Sequence, residues 1–210
     1  MLRTPAISSL ALVVATSCST YHAPRFNQGV GANGVVTLIV PFRESLNERW
    51  YGESETGKEL ALMVRDWANE NAADPNVVDF ASADAAQVIE RLRDDWHKDS
   101  ISADEWRTLV ASLGVTYVVE GDLGRLRLQD PRTIGVYDAS LEAEFRVINV
   151  LRGTVAYRGR RAGTYAGGHE GHDRILMRAP SGESDRRVRH VVIENLAEQI
   201  GKDLYGYTEH

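Results

Sequence analysis

The stretch "VVTLIVPF", Val35 to Phe42, decides how the rest of the chain is read. It is a near-continuous β-branched and apolar run, without the alternation of a strand that has one wet face. It therefore predicts a central strand buried on both faces and ended by Pro41. Working outward, "RESLNERWYGESETGKELALMVRDWANEN" reads as a loop and then a helix. Leu60, Met63, Val64, Trp67 and Ala68 recur at helical spacing and form one apolar stripe. "NVVDF", residues 76–80, predicts a second short strand. A strand, a crossover helix and a strand imply a parallel pair.

"SADAAQVIERLRDDW" predicts a second helix, with Ser82 as N-cap and Ala85, Val88, Ile89, Leu92 and Trp96 on its apolar face. "SADEWRTLVASLG" opens with a capping-box pattern, Ser102 to Glu105. Its stripe is Trp106, Leu109, Val110 and Leu113, and Gly114 stands where a helix stops. "VTYVVEGDLGRLRL" is strand-like. "GVYDASLEAEFRVINVLRGTVAYRGRRAGTY" reads as a hairpin that turns at Arg152-Gly153. Ala139, Leu141, Ala143, Phe145 and Val147 alternate with polar positions, which implies a sheet with one wet face. "DRRVRHVVIENLAEQIGKDLYG" gives a last helix with Val188, Val191, Val192, Asn195, Leu196 and Ile200 on its stripe.

The predicted order is β-α-β-α-α-β-β-β-α. It defines an α/β, or α+β, mixed sheet with helices packed against it in two or three layers, as one domain over residues 35–210. The sequence holds no internal repeat or low-complexity tract. With 43% hydrophobic residues in 210, the chain can bury a core of its own. Its net charge of −6 gives it no general pull towards nucleic acid.

Ahead of the domain lies "ALVVATSCST", residues 11–20, with the only cysteine, Cys18. One cysteine forms no internal disulfide. A reactive thiol needs a base and an electropositive pocket, and no neighbour in sequence supplies either. Residues 6–15 are mostly apolar, over a length that suits the core of a secretory signal and is too short to span a bilayer. Ala15-Thr16-Ser17 then precede Cys18. This segment resembles a bacterial lipoprotein signal. Ala15 stands where leucine is usual, and Arg3 is the only charge before Cys18. The resemblance implies that residues 1–17 are removed and that Cys18 receives diacylglycerol and an N-acyl chain, enough methylenes for lasting attachment. Ser19 resembles the residue of lipoproteins held at the outer membrane, facing the periplasm. An ordinary signal peptide that happens to contain a cysteine is the plainer alternative. "STYHAPRFNQGVGANG", rich in Gly, Asn, Pro and Ser, reads as a tether, so that residues 18–34 lie between anchor and fold.

Three phrases resemble the domains of certain envelope lipoproteins: penicillin-binding protein activators, the curli-secretion lipoprotein, and the N-terminal domain of the Tol-Pal translocation protein. They are "VVTLIVPF", "LVASLGVTYVVEGDL" and "SLEAEFRVINVLRGTVAYRG". The likeness is one of pattern over roughly residues 35–205. It implies a non-enzymatic module that contacts envelope proteins or assembles with itself, without a cofactor. No long amphipathic segment of the kind that would build a transmembrane barrel is present, and the tether is much shorter than the activators use.

Local chemistry leaves few candidates. In "GGHEGHD", His169 and His172 carry metal-ligand side chains, but a glycine-rich loop fixes no geometry. A polar loop explains the same residues. "WYGESETG" places Trp50, Tyr51, Glu53 and Glu55 after the first strand, on the side where open α/β sheets bind ligands. Aromatics mixed with charges also suit a protein contact, and acids suit the start of the following helix. No Gly-Lys-Ser/Thr phosphate loop and no Gly-x-Ser-x-Gly elbow occur. The basic cluster "DRRVRH", residues 185–190, reads as a solvated face that pairs with nearby acids, or as a contact for an acidic partner or headgroup.

Overall fold

The computed structural model describes residues 20–26, 34–47, 50–53, 55–72, 76–95, 101–127, 138–166 and 182–209. The strands are β1 Thr20–His22, β2 Thr37–Ile39, β3 Arg43–Asn47, β4 Trp50–Glu53, β5 Val77–Val78, β6 Tyr117–Leu123, β7 Asp138–Asn149, β8 Thr154–Ala166 and β9 Tyr207–Glu209. The helices are α1 Glu55–Asn71, α2 Ala83–Asp95, α3 Ala103–Leu109 and α4 Gly182–Tyr205. A single 3-10 turn, Ala111–Leu113, follows α3 and ends at Gly114 in the left-handed region.

The expected central strand is present, and it is divided. β2 runs parallel to β6 with Ile39 opposite Val119, and β3 resumes the same line with Arg43 opposite Asp122. Four steps on one side therefore oppose three on the other, which is a β-bulge. Pro41 sits in it, where no N–H is required. Val40 still donates to the Val119 carbonyl at 3.0 Å, while Phe42 turns its N–H to the Gly57 carbonyl at 3.2 Å. The segment after Phe42 is thus a strand and hairpin, β3–β4, where the sequence suggested a loop. Arg43 and Glu44 look like loop residues in isolation, but Arg43 meets its counter-ion, Asp122, across the sheet.

β2 also pairs in parallel with β5, as the crossover argument requires. β7 and β8 add antiparallel strands beyond β6. The β7–β8 turn closes at Gly153, φ 61°, with Asn149 Oδ1 accepting from the Arg152 N–H at 2.9 Å. Helices cover both faces, so the domain has three layers. On one face, Leu60, Val64 and Ala68 of α1 and Val188, Val192, Leu196 and Ile200 of α4 pack on Ile39, Val119, Leu141 and Val147. On the other, Ala85, Val88 and Ile89 of α2 and Trp106 of α3 pack on Leu38, Val118 and Ile148. Each fully buried aliphatic side chain contributes roughly 1.5–3 kcal/mol. The capping box at α3 is formed in both directions, and Ser82 Oγ accepts from the Ala85 N–H at 3.3 Å.

The N-terminal segment departs from expectation. Residues 20–26 are not a free tether. β1 pairs antiparallel with β9, and Phe26 is buried in the core with its ring edge-on to Tyr117 at 5.2 Å. Its N–H donates to the Asp203 carbonyl at 3.0 Å. Gly, Pro and Asn around this segment hid a strand of only three residues, whose partner lies at the far end of the sequence. No helix of the described residues is long and apolar enough to cross a membrane.

Candidate functional site

Among the described residues, the bulge and the short reach of α3 leave half of one sheet face without a helix. Val118 and Ile148 on this face are covered by α2 and α3. Further along the same strands the outward residues become Glu120 and Asp122 on β6, Glu142, Glu144 and Arg146 on β7, and Arg158 and Arg160 on β8. Together with Arg43, all of these except Glu142 line an open cleft of about 440 Å³. It lies towards the carboxyl ends of the parallel strands, where open α/β sheets commonly bind ligands.

The charges are organised by depth. Glu120 is buried at the foot of the cleft. Its carboxylate accepts from Trp106 Nε1 at 2.8 Å and from Arg146 Nε, and Arg146 also donates to the Ile101 carbonyl. One step outward, Arg43 Nη2 reaches both oxygens of Asp122 at 2.7 and 2.9 Å. At the rim, Arg160 pairs with Glu142 and, at 3.5 Å, with Glu144. Arg158 is exposed and pairs with no carboxylate among the described residues.

Burial pushes the Glu120 carboxyl above its ordinary range, against the pull of Arg146. Asp122 is raised for the same reason, with Arg43 opposing. Glu142, at the exposed rim, is lowered by its hydrogen bond to Arg160. The sign of the linkage follows. A carboxyl whose folded pKa is raised holds its proton more tightly when folded, so its contribution to stability grows as pH falls through that pKa. The gain levels off once the unfolded carboxyls, near 4.5 and 3.8, are protonated too. On lowering pH from about 7 to about 4.5, wild type is expected to gain melting temperature relative to Glu120→Gln/Asp122→Asn. Thermal melts of both proteins across that range check it; parallel curves would refute the assignment.

Guanidinium and carboxylate groups in such an array are able to make charge-assisted, directional hydrogen bonds to charged groups. The cleft's lining includes no Ser, Thr, Cys, His or Lys.

The residues singled out in the sequence fall elsewhere. Trp50, Tyr51 and Glu53 belong to β4, which among the described residues is an edge strand paired with β3 alone. Glu55 opens α1, where an acid complements the helix dipole, and it pairs with Lys58 at 3.2 Å. Cys18, His169 and His172 lie outside the described residues, and among the described residues no group of three or more metal-ligating side chains occurs. Of the basic cluster, Arg189 pairs with Glu59 on α1 at 2.9 Å and His190 faces the same carboxylate at 3.3 Å. The cleft itself was not singled out. Its only sequence signal is the outward set of an alternating hairpin, which reads as a wet face whether or not it is a site.

Fold and cleft together define a three-layer α/β/α domain in which the described residues leave one ion-paired half-face open. Solved structures that match the chain include bacterial lipoproteins. PelC from Paraburkholderia phytofirmans, solved as a dodecamer, matches with 12% identity over 90% of this chain and 95% of its own, TM-score 0.48. Lipoprotein GNA1162 from Neisseria meningitidis matches with 12% identity over 68% and 90%, TM-score 0.47. The C-terminal domain of LpoB from Salmonella enterica matches with 14% identity over 67% and 94%, TM-score 0.36. At these values no functional property is taken from the likeness. No known protein family and no curated protein matches the chain.

Proposed function

We propose that this chain is a lipid-anchored cell-envelope protein, held at the outer membrane facing the periplasm, whose domain acts by protein contact or self-assembly without catalysis. The observation that carries the reading is Ala15-Thr16-Ser17-Cys18 behind an apolar run of signal length. The open half-face supports the second part of it. Its ion pairs are arranged on paired strands, as recognition of a charged polypeptide surface requires.

Two measurements test the two parts. Cys18→Ser is expected to leave folding intact and to move the protein from the membrane fraction to the soluble fraction; a variant that stays membrane-bound refutes the anchor. The soluble domain, residues 20–210, is expected to self-associate or to retain envelope proteins in a manner weakened by Arg158→Glu and by salt. A domain that stays monomeric and retains nothing refutes the interaction module.

A further inference from the structure

We propose that the end of the domain carrying β1, β9 and the β7–β8 turn is seated on the bilayer, with Tyr21 and Leu151 in the headgroup layer. The inference rests on the anchor reading above and deepens it, because it fixes which face of the domain the anchor presents to the lipid. The occupant of this surface is the phospholipid headgroup layer of the membrane that holds Cys18.

The first argument is reach. Residue 20 begins a hydrogen-bonded strand, Thr20 opposite Glu209, and Cys18 is two residues upstream. Two residues span at most about 7 Å, even fully extended. An acylated Cys18 has its chains in the hydrocarbon layer, so β1 can stand no further from the membrane surface than that. β1 is in turn fixed to the body. Phe26 is buried beside Tyr117, its N–H bonds to the Asp203 carbonyl, and Asp203 is ion-paired to Arg161 at 2.6 Å. The anchor therefore positions the whole domain.

The second argument is what this end displays. α4 runs antiparallel to β8: Asn195 bonds to the Thr164 carbonyl, and Tyr157 Oη donates to Asp203 near the helix C-terminus. β9 and β1 thus emerge at the end of the sheet from which the β7–β8 turn also projects. Tyr21, 65% exposed, and Leu151, 75% exposed, are the large hydrophobic side chains that stand out on the described surface, and both are at this end. His22 stacks on Tyr207 at 4.5 Å, and Lys202 lies over the same ring at 4.4 Å. Arg25, its side chain 70% exposed, pairs with Asp203 at 3.5 Å, Lys202 with Glu198 at 2.6 Å, and Arg107 with Asp104 at 3.5 Å while donating to the Val150 carbonyl beside the turn at 3.1 Å, so these cations reach the headgroups from within ion pairs. Aromatic rings edged by cations are the composition that settles at the headgroup level, where the rings meet the acyl boundary and the cations meet phosphate. The ion-paired cleft is at the other end of β6, so this seating turns it towards the aqueous side.

The test uses the full acylated chain in vesicles of phosphatidylethanolamine and phosphatidylglycerol. Tyr21→Cys, Leu151→Cys and Arg125→Cys are each labelled with a nitroxide. An acylated Cys18 is a thioether and takes up no label, which unsubstituted protein verifies. On vesicle association, the ratio of oxygen to water-soluble nickel-chelate collisions is expected to rise roughly twofold or more at positions 21 and 151, and to stay flat at 125, just beyond the far end of β6. Protein that floats with the vesicles while positions 21 and 151 behave like 125 overturns this seating and leaves the anchor standing. Protein that does not float, with Cys18 open to label, overturns the anchor and the seating with it.

Discussion

Trp106→Ala is expected to destabilise the domain by about 3–5 kcal/mol, the cost of truncating a fully buried large aromatic. Trp106 has no exposed surface and is the largest side chain in the cluster beneath α2 and α3. Its loss also removes the indole donor from buried Glu120, which leaves Arg146 to satisfy that carboxylate alone. The two contributions can be separated. Trp106→Phe keeps most of the packing and deletes only the hydrogen bond, so it should cost about 1–3 kcal/mol, the range for stranding a buried polar group. Chemical unfolding of the three proteins checks the ranking. If Trp106→Phe costs as much as Trp106→Ala, the hydrogen bond dominates; if Trp106→Ala costs under about 1 kcal/mol, the packing account fails.

Gly163→Val should be at least as damaging. Gly163 lies on β8 under α4, and a Cβ there would stand 2.1 Å from the Val192 carbonyl oxygen and 2.9 Å from the Leu196 N–H nitrogen. Both are helix backbone, so no rotamer change relieves the clash. α4 must lift from the sheet, and with it go Val192, Leu196 and Ile200, all buried in the main cluster. Overpacking of this kind ordinarily costs about 1–3 kcal/mol where side chains can yield, and more where backbone cannot. The expected outcome is a protein that is largely unfolded or insoluble at growth temperature. Gly163→Ala places the same Cβ against the Val192 carbonyl and should also be strongly destabilised, less so than Gly163→Val, whose two methyls add to the clash. A Gly163→Val protein as stable as wild type would mean that α4 is not seated on β8 as described.

Periodicity was enough for the three-layer core because burial there is strongly periodic. The α1 stripe, the capping box at Ser102 and Glu105, and the alternation from Ala139 to Val147 are each dictated by local spacing, and each is where the sequence places it, whereas α4 is turned slightly, burying Ile193 and Ala197 and leaving the expected Val191 and Asn195 half-buried. What escaped was set by non-local partners. Arg43 looks like a loop residue until Asp122 is opposite it. Thr20–His22 is too short to announce a strand, and β9, its partner, is equally short. The cleft escaped for a related reason. Alternation reveals that Glu120, Asp122, Glu144 and Arg158 face outward, but not that α3 ends before it covers them. The 50–55 stretch was favoured because aromatics stand out in a sequence, whereas the charges of the cleft are dispersed over β3, β6, β7 and β8.

The β1–β9 pair also sets an order of events in the making of the protein. Residues 20–22 find their partners only at 207–209, so a chain exported amino end first carries an unzipped leader until nearly all the described sequence has crossed. Closure over so long a separation is slow compared with folding of the local hairpins. In the proposed anchored form, processing at Cys18 comes before β1 docks, and pairing of β1 with β9 then ties residues 20–22 to the fold, which gives that proposed maturation a direction.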